Sequence, residues 1–314
     1  MPLIEVEPQN PLRERLNRFG RRGWTLKPYQ MWGSDKPCPP RLVVNPYVGC
    51  AFQHQYCYIE SPARAQDGFR EHLLARIKEA HAQGLDGLVV MVSSSTDPFQ
   101  PIERHYADSR FALEALLENG FLVLVMTRNP QMLLEEGYAH VTGHPRLQID
   151  VSIPSLRENE LGSIWYSPVA APLNETYAAI AELARQGKYV RVKIEPVVPS
   201  LGEVQGQTPQ ELDEIVRKSK EAGVQAILSK TMRLNTSVPP WMYRRLITFF
   251  TENGTAERTT LALSEPLRKA LLAPVLDACA RYQIPFCPCV DSDTISGVSC
   301  RVQTSLTKGK PLYG

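Results

Sequence analysis

Cys50, His54 and Cys57 are the residues of this chain whose types and spacing most directly permit chemistry. They lie in NPYVGCAFQHQYCYIE, residues 45–60, at the spacing C-x3-H-x2-C, directly after a short β-branched run. A loop with side chains four and three residues apart can wrap three soft or borderline ligands around one metal centre, leaving a further coordination position for something else. Seven cysteines, at 38, 50, 57, 279, 287, 289 and 300, is an odd count in a chain of 314 residues. A chain of that size needs no disulfide staples, so this usage points to metal binding, chemistry or plain burial.

The elements that must position this loop are readable between Phe69 and Lys230, where two hydrophobic periods alternate. Apolar residues spaced three and four apart predict helices over 69–83, 107–119, 174–186 and 208–222, each followed by a glycine (84, 120, 187, 223) suited to a left-handed stop. The last opens with Thr208, Pro209 and Glu211: a capping residue, a helix-starting proline and a partner three positions after the cap. Short β-branched or alternating runs predict strands at 41–45, 86–94, 121–127, 147–153, 188–195 and 224–230. Strands regularly separated by helices imply a parallel sheet with right-handed crossovers, and a full or partial β/α barrel fits.

Two of these strands carry polar rows. Gln148, Asp150 and Ser152 alternate with Leu147, Ile149, Val151 and Ile153, and Arg191, Lys193 and Glu195 alternate with Val190, Val192 and Ile194. A strand buried on both faces reads almost uniformly apolar, so these rows imply either a ligand-lined barrel interior or an edge strand facing water. In either case the strand ends at Ser93–Asp97, Thr127–Arg128, Ser152 and Lys193–Glu195 converge on one rim, where parallel β/α folds bind ligands.

Residues 1–40 form an arm with Arg13, Arg15, Arg18, Arg21, Arg22 and Lys27 interleaved with Phe19 and Trp24, either a phosphate-contacting cluster or a solvated helix face. Residues 236–314 hold two more helices, about 239–252 and 264–281, and a cysteine-bearing irregular tail. A formal net charge of +2 does not argue for a polyanionic partner across the whole surface. No run approaches the roughly 18 apolar residues of a membrane span, and the start lacks a signal-peptide core, so a cytoplasmic protein with no membrane partner is expected. No Gly-rich phosphate loop, His-Glu-x-x-His or Gly-x-Ser-x-Gly motif occurs, which removes support for conventional nucleotide triphosphate, zinc-protease and serine-hydrolase readings.

The loop resembles that of the radical S-adenosylmethionine superfamily, whose usual spacing is C-x3-C-x2-C with an aromatic before the last cysteine, here Tyr56. More narrowly it looks like the spore photoproduct lyase-like branch. The resemblance is carried by Asn45-Pro46-Tyr47, Gly49-Cys50, Tyr56-Cys57-Tyr58, STDPFQPIE at 95–103, Thr127-Arg128-Asn129-Pro130 and VVP at 197–199, and it covers about residues 41–235. It implies an α/β partial barrel over 41–235 between the N-terminal arm and a C-terminal helical extension. It further implies a [4Fe–4S] cluster on Cys50, His54 and Cys57, with S-adenosylmethionine on the open iron and radical hydrogen abstraction as the reaction. By the same analogy Tyr56 borders the adenine, Ser94, Ser95, Thr96 and Asp97 meet the methionine end, and Arg128, Ser152 and Lys193 reach ribose or carboxylate. An electron donor such as flavodoxin or ferredoxin and a nucleic-acid substrate follow as expectations; no catalytic residue is assigned.

Two departures matter. His54 stands where the family has its middle cysteine, which leaves three readings: a His-ligated cluster of raised potential, an assembled but sluggish one, or a degenerate site with Cys38 or nothing as third ligand. The stretch Ser93–Asp97 also lacks the cysteine that spore photoproduct lyase carries near this Asp, which points to a relative with another substrate. Among weaker signals, Cys287-Pro288-Cys289 and Cys300 allow a second metal site with Cys38, buried thiols, or a hydrogen-atom donor. Cys279 reads as core, and Asp97 and Glu103 as either a catalytic pair or a turn cap and its neighbour.

Overall fold

The alternating periods fold into an α/β structure built on one curved sheet. The computed structural model describes residues 11–20, 24–29, 40–235, 240–257, 260–292 and 295–297. Its eight-stranded sheet runs in the order β1 (Lys27–Pro28), β2 (Arg41–Val44), β3 (Val89–Val92), β4 (Leu122–Thr127), β5 (Leu147–Ser152), β6 (Tyr189–Val197), β7 (Ala226–Thr231) and a last strand, β11 (Phe286–Cys287). All neighbours are parallel except β1 and β2. Tyr29, next to β1, and Lys230, on β7, lie near opposite ends of this order yet are close enough to interact electrostatically, so the sheet curls into a partial barrel.

Helices cover the outer face. α1 (Pro11–Gly20) belongs to the N-terminal arm; α2 (Phe69–Ala82), α4 (Asp108–Glu118), α6 (Leu173–Arg185) and α7 (Pro209–Glu221) are the crossovers the sequence predicts, with short α3 (Glu103–Tyr106) and α5 (Ala139–Gly143) between them. In α2, Phe69, Leu73, Ile77 and Ala80 recur at helical spacing and are buried against Leu42, Val44, Val90 and Val92 in one core. Each large side chain so buried contributes about 1.5–3 kcal/mol. The four glycine stops all have positive φ. The Thr208 side chain accepts from the Glu211 amide, while the Glu211 carboxylate turns away to Leu156 N and Arg157.

The helix expected over 107–119 begins instead at Asp108, because Ala107 has φ +52° and separates it from α3. The stretch between β7 and the last helix also holds strands that the sequence does not predict. α8 (Pro240–Asn253) and α9 (Glu265–Arg281) match expectation, but β8 (Arg233–Asn235), β9 (Gly254–Glu257) and β10 (Thr260–Leu263) form a second, antiparallel sheet in the order β8-β10-β9. Strands of three or four residues carry too few alternations to be read as a period. Leu234, Leu246, Phe250 and Leu263 pack there against Trp165, Val198 and Val204.

The polar rows face inward. β5 and β6 are central strands, with Gln148, Asp150 and Arg191 at 0%, 1% and 2% exposure, so the edge-strand alternative is excluded. The interior is apolar on the β2–β4 side, where Val43, Val89, Met91, Leu122 and Leu124 cluster, and charged on the β5–β7 side.

Asp291 pins the C-terminal segment to the barrel. Its carboxylate accepts from Thr231 N at 2.8 Å and Arg268 at 2.9 Å, and pairs with Arg233 at 2.8 Å. Burial opposes its ionisation, but the two guanidiniums and the Thr231 amide outweigh this and hold its pKa below the ordinary value. A depressed native pKa gives stability that is present above the unfolded-state value of about 3.9 and is lost as pH falls through the folded value. Urea unfolding midpoints are therefore expected to drop between pH 6 and pH 3, with a shallower drop in Asp291→Asn; equal slopes would contradict this assignment.

Candidate active site

The loop after β2 is held from both sides before any ligand is considered. Asn45 Oδ1 accepts from Ser94 N at 2.9 Å, and Gln66 Nε2 donates to the Asn45 and Pro46 carbonyls. The Tyr47 hydroxyl donates to Glu103, a buried carboxylate that also accepts from Tyr138 and from the amides of Ser109 and Arg110. Glu103 is thus saturated by protein donors, which corrects its reading as one of a catalytic pair: it is an anchor. Gly49 has φ +76°, and a Cβ there would lie 2.0 Å from the Pro62 carbonyl oxygen, so only glycine lets the chain pass. Gln100 then clasps the loop, accepting from Ala51 N at 2.7 Å and donating to Gly49 O.

On this frame Cys50 is buried and Cys57 half-buried. Burial pushes both thiols up, and Cys57 and Asp97 are near enough to Cys50 to raise it further. His54 is buried between Phe52 and Tyr56, with ring centroids at 5.8 and 5.2 Å. Burial and the neighbouring Arg128 hold its pKa well below the usual value, so the imidazole is neutral with a lone pair available. Its Nε2 is buried without a hydrogen-bond partner and stands 4.0 Å from Glu158 Oε1.

Tyr56 stacks at a tilt on Trp165 at 4.9 Å and accepts from Arg128, which in turn pairs with Glu158. Asp97 accepts from Phe99 N at 2.8 Å, as a turn cap does, and also from Thr127 Oγ1 at 2.9 Å and Arg128 N at 2.6 Å, tying the ends of β3 and β4 together. Its pKa is raised by burial, against those donors. Ser152 and Lys193 are cross-strand neighbours on the inner face. Ser94 and Ser95 are half-buried at the end of β3, and Thr96 donates to Tyr47 O, bracing the loop. Cys50, His54, Cys57, Tyr56, Asp97 and Arg128 therefore gather at the C-terminal ends of β2–β4, with Ser152 at the end of β5 and Lys193 beside it within β6.

Among the described residues, no three His, Cys, Asp or Glu side chains converge closely enough to hold a metal as they stand. The donor chemistry nevertheless suits an iron–sulfur centre: two neighbouring thiols and, in the same loop, a neutral imidazole whose buried nitrogen has no partner. Cys38 and Cys300 lie outside the described residues, as do Arg21 and Arg22. Cys287 is buried on β11 beside Leu228, Cys289 lies near Lys230, and Cys279 is buried in α9 with its pKa pushed up to about 12. His72 stacks on Trp24 at 4.9 Å and is hydrogen-bonded to Thr25, a structural role.

Sequence reasoning missed Glu158, which sits in the aperiodic segment after β5, and Trp165, which closes over Tyr56. It placed Glu195 in a polar row and on the rim but gave it no role. Glu195 is buried, accepts from Lys193 at 3.0 Å and lies 3.6 Å from Lys230. Those two ammonium groups overcome its burial and lower its pKa to about 2.

No family model matches the chain. It is 27% identical over 280 residues to a "Radical SAM Nalpha-GlyT isomerase" of Pseudomonas phage M6, covering 77% of this chain; it spans about half (54%) of that relative's length. Spore photoproduct lyase complexed with dinucleoside spore photoproduct superposes with TM-score 0.59 at 12% identity, over 90% of this chain and 85% of that one. Streptococcus suis SuiB bound to S-adenosylmethionine superposes with TM-score 0.52 at 15% identity, over 78% of this chain and 48% of that one. At such identities the structural likenesses establish the fold alone.

Proposed function

We propose that this protein is a radical S-adenosylmethionine enzyme acting on a nucleic-acid substrate, with a [4Fe–4S] cluster held by Cys50, His54 and Cys57. The observation that carries this is the braced loop that sets two thiols and an unpartnered imidazole beside Tyr56, Arg128 and Asp97 on the ligand-binding rim of the barrel. When bound, the cluster and S-adenosylmethionine supply reductive cleavage of the sulfonium and hence a hydrogen-abstracting radical. Within the chain, Trp165 and Tyr56 shut water from the loop, and Tyr56 offers a flat face for the adenine. Asp97 fixes the start of the Arg128 segment, and Ser152 and Lys193 present a hydroxyl and an ammonium to ribose or carboxylate. Ser94, Ser95 and Thr96 border the methionine end. An electron donor such as flavodoxin or ferredoxin completes the cycle.

The nucleic-acid assignment is supported by the dinucleoside spore photoproduct held by one structural relative. Because Ser93–Asp97 lacks a thiol, we assign the reaction to radical chemistry other than spore photoproduct repair. Among the described residues no helix is long and apolar enough to cross a membrane.

The test is iron and sulfide content with electron paramagnetic resonance of the reduced, anaerobically reconstituted protein. A four-iron signal that shifts on adding S-adenosylmethionine is expected. A protein without cluster, or with iron indifferent to S-adenosylmethionine, would favour a degenerate binding barrel instead.

A further inference from the structure

Glu195 Oε1 is a buried carboxylate oxygen with no hydrogen-bond partner. The other oxygen, Oε2, takes Lys193 at 3.0 Å and lies 3.6 Å from Lys230. The side chain is 93% buried, being 7% exposed, whereas Lys230 is 35% exposed and so borders the open mouth of the barrel. Both belong to inward-facing rows: Ile194 and Ile227, on the same strands, pack on the helix side. Tyr29 and Cys289 are near enough to Lys230 to influence it. Nothing in the cofactor reading above uses Glu195 or Lys230.

A buried ionised oxygen left unpaired costs free energy unless a ligand supplies the donor. What kind of donor follows from charge. One carboxylate between two lysines leaves the cluster net positive, which disfavours a cationic amine. An anion could meet Lys230 but would face Oε1 directly. A neutral N–H beside a C=O satisfies both groups: the N–H donates to Glu195 Oε1 and the carbonyl accepts from Lys230 Nζ. We propose that Glu195 and Lys230 form a recognition site for the H–N–C=O edge of a cyclic amide or imide, as carried on the pairing edge of a nucleobase. This deepens the nucleic-acid reading above and rests on it.

The experiment compares anaerobic binding of two fluorescent single-stranded octathymidylates to the full chain, one unmodified and one N3-methylated on every base. Backbone contacts are the same for both, so their affinity ratio isolates the base edge. The wild-type chain is expected to prefer the unmodified probe by about ten-fold to a hundred-fold, as for a hydrogen bond to a charged group. Glu195→Gln keeps the shape, but its amide oxygen turns to the lysines and its NH2 faces the substrate N–H; the ratio should fall to within about three-fold. Lys230→Met should weaken binding of the unmodified probe. A ratio near one in the wild type, with salt-sensitive binding of both probes, overturns this inference and leaves the nucleic-acid reading standing. Discrimination retained by Glu195→Gln also overturns it, since crowding alone would then explain the preference. Binding of neither probe overturns both readings.

Discussion

Cys57→Ala is expected to leave the anaerobically reconstituted protein with almost no bound iron and without its charge-transfer absorbance. The loop from Cys50 to Cys57 holds three candidate donors at most, and iron–sulfur clusters are retained by the full thiolate or imidazole set that replaces bulk water. Cys50→Ala is expected to behave alike, whereas Cys279→Ala, buried in α9 away from the loop, should retain the wild-type iron content. His54 decides between the readings of its position. If its unpartnered Nε2 turns from Glu158 to iron, His54→Ala loses most of the iron and His54→Cys lowers the reduction potential, because a thiolate adds the negative charge that imidazole lacks. Full iron and unchanged spectra in His54→Ala would instead make His54 a loop residue packed between two aromatic rings.

Asp150→Ala is expected to destabilise the fold by about 3–5 kcal/mol, the usual consequence of leaving one member of a buried ion pair uncompensated. Asp150 and Arg191 face each other across β5 and β6 through two bonds of 2.7 and 2.8 Å, at 1% and 2% exposure. Against a typical total of about 5–15 kcal/mol, that loss would move the urea midpoint far enough to be unmistakable. Removing both charges at once is a different change: Asp150→Leu with Arg191→Met should recover most of the loss, because the desolvation penalty of the pair disappears with it. A double-mutant cycle in urea measures this, and additive losses would refute the pairing as the cause. The pair also matters to the site, because Ser152 and Lys193 stand one inward position further along the same strands, in matching register. A stable double variant with weakened S-adenosylmethionine binding would show that the pair sets the position of that row.

The crossover helices and their glycine stops were legible because each repeats a local rule within a dozen residues: an apolar stripe at helical spacing, then a left-handed stop. The loop from Asn45 to Tyr58 was legible for another reason, that its ligand types cluster within a few positions of one strand. The polar rows on β5 and β6 showed that one face of the sheet differs from the other, since side chains alternate along a strand. Which way that face pointed could not be read locally, and two outcomes stayed open until neighbouring strands covered both edges.

The remainder was decided by contacts between segments far apart in the chain. Glu103 has the composition of a reactive acid but becomes an anchor because Tyr47 and Tyr138 fold onto it from 56 and 35 residues away. β11 joins the barrel from beyond α9, and β8, β9 and β10 pair among themselves, although each is too short to show a period. Glu158 and His54 approach to 4.0 Å although 104 residues separate them, and Glu195 keeps one oxygen free because Lys193 and, from the paired strand β7, Lys230 both gather at the other. The sequence by itself determined the periodicity, the donor set and their order along the chain, because these depend on neighbours within a turn or a strand. Tertiary structure alone decided which charges are spent on one another and which remain for a ligand, because that depends on which distant residue arrives first at each buried polar atom.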